Sequence, residues 1–274
     1  MAYKVGIVGF GNLGKFLASS IAADPNYEIA FVWNRTKSAI CGAVETSLIL
    51  DDLKDFASRK PDIIVEVAHP SITKAFGKEF LGYCDYMIGS PTALCDEDLL
   101  RDLEEAAIHH GLYIPSGAFW GGEDIRKMSD ARKLRTLKVT MKKHPKSLKL
   151  EGYLKLLNDE VKDKAVTLSE GHVRDVCFLA PHNTNTMAAA ALAAPSLGFD
   201  GVTGCLISDP SLDKYHIVEI EAFGFPNKDG SCFHVHTLRK NPAVVGEVTG
   251  EATYTAYLGS LKRAKGKGPG LHLC

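Results

Sequence analysis

A glycine-rich turn near the start of the chain constrains its architecture more than any other feature. Gly9-Phe10-Gly11-Asn12-Leu13-Gly14 has the spacing G-x-G-x-x-G; it follows an apolar β-branched run at residues 3–8 and opens a helical stretch at 13–23. In that setting the first glycine permits the tight turn, the second lets backbone come close to a pyrophosphate, and the third lets the helix pack on the strand. The N–H groups at the start of the helix are free to meet phosphate oxygens. Gly9, Gly11, Asn12, Leu13 and Gly14 are therefore candidate dinucleotide-binding residues.

The rest of the first half repeats the same alternation. Strands are expected at 28–33, 63–67, 86–89 and 112–115, with a Glu-, Leu- and Ala-rich helix at 96–110. Strands alternating with helices make βαβ units, and right-handed crossovers leave a doubly wound parallel sheet as the simplest solution. The pattern changes near Ser116. Residues 136–142 alternate as a half-exposed strand does, followed by expected strands at 173–178, 201–208 and 216–223 and an Ala-rich helix at 185–194. The fold class expected is α/β, an N-terminal Rossmann sheet plus a second α+β domain on a mostly antiparallel sheet. One face of that sheet is packed and the other free. The free face suits a second copy of the chain, and a homodimer is expected. Residues 247–261 read as a closing helix, and the basic, glycine-rich stretch at 262–270 as a mobile tail.

Composition narrows the function classes. Among 274 residues, 32 Lys and Arg stand against 33 Asp and Glu, a net charge of −1, which argues against binding nucleic acid through a basic field. No apolar run reaches the roughly 20 residues a membrane span needs. The opening residues run directly into a folded motif, with no room for a signal peptide, so a cytoplasmic protein is expected. The seven cysteines are scattered without a C-x-x-C pair, which speaks against a zinc site or a disulfide framework, and no metal is expected.

The end of the second strand bears on which dinucleotide is bound. An NAD site usually places Asp or Glu there for the ribose 2′-hydroxyl. This chain has Trp33-Asn34-Arg35-Thr36, with no acid. Arg35 suits a 2′-phosphate, Thr36 can donate to it and Asn34 can bond the ribose, so NADP is favoured and NAD remains allowed. Ala68 and His69 follow the third strand, where cofactor sites gather, and His69 either borders the nicotinamide or caps the loop. A nicotinamide enzyme also needs a group to handle a proton, and histidine is matched to neutral pH. In the second domain His182, His216, His234 and His236 all remain open on the residues alone.

Three stretches, KVGIVGFGNLGKFLA, IPSGAFWGGEDI and the long run from APHNTNTM to KYHIVEIEAFG, resemble the L-aspartate dehydrogenase family across nearly the whole chain. The resemblance implies a Rossmann domain formed by residues 1–115 with 241–274, and a catalytic and dimerisation domain at 116–240. It implies NAD- or NADP-dependent deamination of L-aspartate to oxaloacetate and ammonia through iminosuccinate. By that resemblance the catalytic histidine falls on His216, the cofactor-contacting alanine of the S-G-A motif on Ala118, and the second asparagine of P-x-N-x-N on Asn185. Lys143, in a family-like Lys-His-Pro turn, is a candidate for a substrate carboxylate. The chain departs from the family pattern at Lys214, where an asparagine is usual. It departs again at Asn241-Pro242-Ala243-Val244-Val245, in place of an Asn-Pro-Lys-Thr-Ser-like segment. Those departures leave two further readings open: a catalytically silent NADP-binding sensor, and a dehydrogenase for another small amino or oxo acid. A sugar-oxidising dehydrogenase of similar layout is disfavoured because Ser90-Pro91-Thr92 stands where such enzymes carry Glu-Lys-Pro.

Overall fold

The computed structural model describes residues 2–274, which form two compact units. The first comprises residues 2–115 with Tyr257–His272 and Cys274, and the second Ser116–Ala256 with Leu273.

In the first unit the strands β1 (Tyr3–Val8), β2 (Tyr27–Trp33), β3 (Ile63–Glu66), β4 (Asp85–Ile88) and β5 (Gly111–Ile114) alternate with α1 (Asn12–Ala22), α2 (Pro70–Leu81) and α3 (Glu97–Ala106). All residues of β3 and β5 are buried, as expected of strands covered on both faces. The pairs β1–β2, β1–β3, β3–β4 and β4–β5 are parallel. Val5, Ile7, Leu17, Ile21, Val32, Ile63, Val65 and Met87 form one core cluster across strands and helix α1. The helix starts follow from local chemistry: Asp96 accepts a hydrogen bond from the Leu99 N–H ahead of α3, and Pro70 occupies the first turn of α2, where its missing N–H has no consequence.

The second unit contains α4 (Gly122–Asp130), β6 (Leu134–Lys143), α5 (Gly152–Asp159), β7 (Val166–His172), α6 (Val173–Leu179), α7 (Asn185–Ala193), α8 (Gly198–Gly201), β8 (Val202–Ser208), β9 (Tyr215–Gly224) and β10 (His234–Pro242). Its sheet has the order β10-β9-β6-β8-β7, antiparallel except for the β6–β8 pair. Burial alternates residue by residue along β9, so His216, Val218, Ile220 and Ala222 face the packed side. Helix α7 is buried from Thr186 to Ala193 and carries no polar stripe, which suits a helix enclosed on every side. A side chain at Gly204 of β8 would lie 2.8 Å from the Met187 sulfur, so glycine there is what lets α7 reach the sheet. Helix α9 (Glu251–Ala264) begins in the second unit and ends in the first, where β11 (Gly270–Leu273) completes a six-stranded sheet of order β11-β5-β4-β3-β1-β2.

Three expectations are corrected. Residues 173–178 are helix α6, not a strand: Val173, Val176 and Cys177 are the buried positions, a helical spacing, and the neighbouring strand is β7. The stretch 262–270 is not a mobile tail throughout, because Lys262–Ala264 finish α9 and Gly270 opens β11, its N–H bonded to the Ala107 carbonyl. Residues 241–256 group with the second unit, not the first, since Asn241 and Pro242 are the last rungs of the β9–β10 ladder.

Candidate active site

The glycine turn of the first unit has a geometry set by its three glycines. Gly9 has φ +111°, in the region that favours glycine, and a side chain there would meet the Val67 carbonyl oxygen at 2.7 Å. A side chain at Gly14 would collide with the Gly9 carbonyl oxygen, so this glycine sets how closely α1 lies on the turn. The space beside Gly11 is open, with no atom within 4 Å of where a Cβ would stand. Gly11 also caps α1 without a side-chain hydrogen bond, which leaves the first N–H groups of the helix, including those of Asn12 and Leu13, for an anion. A tight turn, an open approach at Gly11 and a helix N-terminus together fit a dinucleotide pyrophosphate.

The end of β2 braces this turn. Asn34 accepts a hydrogen bond from the Phe10 N–H (3.0 Å) and donates to the Thr36 carbonyl (2.9 Å), so its amide is used to join the two loops. Arg35 and Thr36 are exposed beside it. His69 caps α2: its Nδ1 accepts from the Ser71 N–H at 3.1 Å, and Ala68 is exposed next to it.

A residue with no part in the sequence reading ties these loops together. Glu66, at the C-terminal end of β3, is fully buried and accepts hydrogen bonds from the Ala68 N–H (2.6 Å), the Ser90 N–H (3.0 Å) and the Ser90 hydroxyl (3.2 Å). Burial pushes its carboxyl up to about 7, against the pull of those donors. The folded chain therefore holds a proton on Glu66 that the unfolded chain loses above about pH 4.5. That contribution is fully present below pH 4.5 and is lost as pH rises through about 7. Glu66→Gln is expected to remove this slope: the melting temperature of the variant relative to the native chain rises between pH 4.5 and 7. A difference that stays flat with pH contradicts the assignment. The signal available in the sequence was a single carboxylate closing the apolar run Ile63-Ile64-Val65.

In the second unit, chemistry gathers where β6, β9 and β10 end together. Lys142 pairs with Ile217, so Lys143 and His216 are the next residues along the two strands. Asn241 is the direct cross-strand partner of His216. All three are buried, with exposures of 5%, 6% and 2% respectively. The loop 243–250 covers them: Lys143 Nζ donates to the Val248 carbonyl at 2.8 Å, and the Gly246 N–H donates to Ser147 Oγ at 3.0 Å. Burial lowers the Lys143 ammonium to about 8. Burial, together with the Lys143 charge, lowers His216 to about 4, against the opposing pull of a hydrogen bond with the Glu247 backbone. His216 is thus neutral at pH 7 and its Nε2 has no hydrogen-bond partner among the described residues. The two side-chain polar atoms of Asn241 have none either. These orphaned atoms, beside a buried cation without an ion-pair partner among the described residues, form a site suited to an anionic ligand that also donates hydrogen bonds.

Arg239, two residues before Asn241 on the same face of β10, donates to the Gly117 carbonyl at 3.3 Å and so stands next to the half-buried Ala118. Asn185 is the first residue of α7. The loop ahead of it is locked by Asn183, which bonds both the N–H and the carbonyl of Lys149. His234 and His236 lie on the opposite face of the sheet from His216, in register with Phe223 and Glu221, and His234 stacks on Phe223 with a centroid separation of 4.2 Å. His182 sits in the loop ahead of α7. Among the described residues no group of three or more His, Cys, Asp or Glu could hold a metal ion, and no helix is long and apolar enough to cross a membrane.

Comparison with known proteins places this arrangement. The family model described as aspartate dehydrogenase, C-terminal, matches residues 124–261, which contain Lys143, Asn185, His216 and Asn241. The model described as homoserine dehydrogenase, NAD binding domain, matches residues 9–115. An aspartate dehydrogenase domain-containing protein of Xenopus tropicalis is 47% identical over 99% of this chain and 98% of its own length. An L-aspartate dehydrogenase of Nitrosopumilus maritimus is 26% identical over 81% of this chain and 84% of its own. The crystal structure of the Thermotoga maritima aspartate dehydrogenase, 21% identical, superposes with a TM-score of 0.68 over 97% of this chain and 98% of that one, a likeness of fold. With both halves of the chain matched and a relative of that identity along its whole length, the protein belongs to the aspartate dehydrogenase family.

Proposed function

We propose that the chain is an NAD(P)-dependent L-aspartate dehydrogenase, interconverting L-aspartate with oxaloacetate and ammonia through iminosuccinate. The observation that carries this reading is the buried group of Lys143, neutral His216 and Asn241, which offers one cation and several unused polar atoms to a charged amino acid.

A nicotinamide dinucleotide, when bound, supplies the acceptor for the hydride at Cα. The chain's own residues do the rest. Gly9, Gly11, Asn12, Leu13 and Gly14 hold the pyrophosphate, Asn34 keeps the glycine turn against the end of β2, and Ala68 and His69 border the cofactor on the β3 side. Ala118 leaves room beside the ring, and Asn185 has both donors and acceptors for its carboxamide. Lys143 pairs with a substrate carboxylate. His216 Nε2 takes a proton from the substrate's ammonium group as the C=N bond forms and passes it to solvent. When water adds to the imine carbon, the imidazole takes a proton from that water and returns it to the nitrogen, which leaves as ammonia. Holding the substrate carboxylate and amine in fixed positions brings the reacting carbon into place. The test is to incubate the protein with L-aspartate and oxidised cofactor, follow the absorbance of the reduced nicotinamide, and identify oxaloacetate. Cofactor binding without reduction is the result expected of a silent binder.

NADP is the preferred cofactor in this reading, on the absence of an acid after β2 and the exposed Arg35. Arg35→Asp is expected to weaken NADP binding at least tenfold more than NAD binding, because it removes a charge-assisted contact and adds repulsion of the 2′-phosphate. Equal weakening of the two assigns Arg35 to the surface. The protein works in the cytoplasm as a homodimer, with a small dicarboxylate as its substrate and no nucleic acid or membrane partner. Size measured by light scattering checks the dimer.

A further inference from the structure

Asn241 is the most anomalous polar residue of the second unit. Its exposure is 2%, yet neither its Oδ1 nor its Nδ2 has a hydrogen-bond partner among the described residues. A buried amide in that condition destabilises the fold, and an apolar residue of similar size avoids the penalty. The position is also fixed: Asn241 is the in-register partner of His216, so the two side chains project from adjacent strands on one face. Gly250 of the covering loop packs on it, and a side chain there would stand 3.5 Å from the Asn241 Cβ.

The unused atoms count out a ligand. Neutral His216 carries a single ring proton, and with that proton on Nδ1 the buried, unpartnered Nε2 presents a lone pair. Asn241 Oδ1 presents further lone pairs beside it. Two acceptors facing one ligand atom need a donor with at least two hydrogens. An amino group has them and a hydroxyl has one. Nδ2 is left to donate to the carboxylate attached to the same carbon, with Lys143 as the nearby cation.

We propose that Asn241, acting with His216, selects an amine over a hydroxyl at the reacting carbon, so that the site takes 2-amino acids and discriminates against the matching 2-hydroxy acids. This rests on the amino-acid dehydrogenase reading but concerns a residue and a discrimination that reading does not assign. A site built to bond two N–H groups leaves a buried acceptor unpaired when it holds a hydroxyl, and that loss is large enough to read as an affinity ratio.

The experiment is calorimetric binding of L-aspartate and L-malate to the full-length protein saturated with reduced nicotinamide dinucleotide. Both ligands are already reduced, so binding is read without turnover. The native chain is expected to favour aspartate by about tenfold or more. Asn241→Leu and Asn241→Ala are each expected to cut that preference to less than about threefold, with the reduced cofactor bound as in the native chain. Asn241→Leu is also expected to melt at or above the native temperature, since it removes the orphaned atoms and fills their volume, and this separates lost recognition from lost folding. Variants that keep the native preference overturn the proposal, as does a native chain that binds malate as tightly as aspartate. Selective binding that the variants lose, in a protein that never turns aspartate over, sustains the role of Asn241 and removes the dehydrogenase reading. A native chain that binds neither ligand removes both.

Discussion

His216→Ala is expected to bind the reduced cofactor as the native chain does and to lose turnover by a factor on the order of 10² or more. The reason lies in its surroundings. Burial and the Lys143 charge hold the imidazole neutral to about pH 4, where a solvated histidine is half protonated near 6.5. The imidazole is therefore neutral throughout the physiological range, as the proposed role of base requires, and its Nε2 has no partner among the described residues to displace. The same surroundings set the pH profile. The acidic fall of kcat/KM, which reports the free enzyme, is expected near pH 4 and not near 6.5. Retained turnover in His216→Ala removes the imidazole from the chemistry, and an acidic limb at 6.5 removes the buried, neutral state assigned to it.

Lys143 carries the second large effect, with opposite consequences for binding and stability. The buried ammonium donates a hydrogen bond to the Val248 carbonyl, and burial lowers it to about 8. The folded chain thus releases a proton between about pH 8 and 10.5 that the unfolded chain keeps, so this residue opposes folding at neutral pH and the opposition fades as pH rises through that window. The displacement from the ordinary lysine value corresponds to roughly 3 kcal/mol. Lys143→Met is accordingly expected to raise the melting temperature at pH 7 while raising KM for aspartate or oxaloacetate about tenfold or more, through loss of the cation proposed to pair with a substrate carboxylate. In the native chain KM is expected to climb above about pH 8 as the charge is lost, and the variant should lack that climb. A variant that is less stable, with unchanged KM, returns Lys143 to a purely structural role.

Much of the first unit was legible because its physics is local. Runs such as Ile63-Ile64-Val65, buried on both faces and bounded by Pro61-Asp62, read as parallel strands, and the glycine turn announces the strand–helix junction. Structure and local pattern differ where local and global signals part. Residues 173–178 are short and apolar, and nothing local shows whether the period is two or between three and four; the sheet already had β7 and β8 in place, and the segment packs on it as a helix. The strand β10 went unrecognised because its alternation of histidine, threonine and arginine has no apolar stripe, yet it supplies Asn241 and Arg239. β11 was hidden behind a basic, glycine-rich run.

The candidate site divides in the same way. Composition could not separate His216 from His182, His234 or His236; the family resemblance did, and the alternation along β9 gives a physical reason. His216 shares parity with Val218 and Ile220 and faces inward, whereas His234 and His236 lie on the other face of the sheet. Glu66 and Asn241 were not legible as site residues, because what marks them is burial, of a carboxyl that joins two loops in one case and of an amide with no hydrogen-bond partner among the described residues in the other, a property of packing that no residue spacing reports.

Reductive amination at the expense of a nicotinamide is the reaction by which the proposed function stands or falls. The purified chain is given oxaloacetate and NADPH, then NADH, each with and without ammonium, and the absorbance of the reduced nicotinamide is followed. Oxidation that requires both the protein and ammonium, faster with NADPH than with NADH, is expected. Oxidation that proceeds equally well without ammonium, or none with either cofactor, contradicts that function.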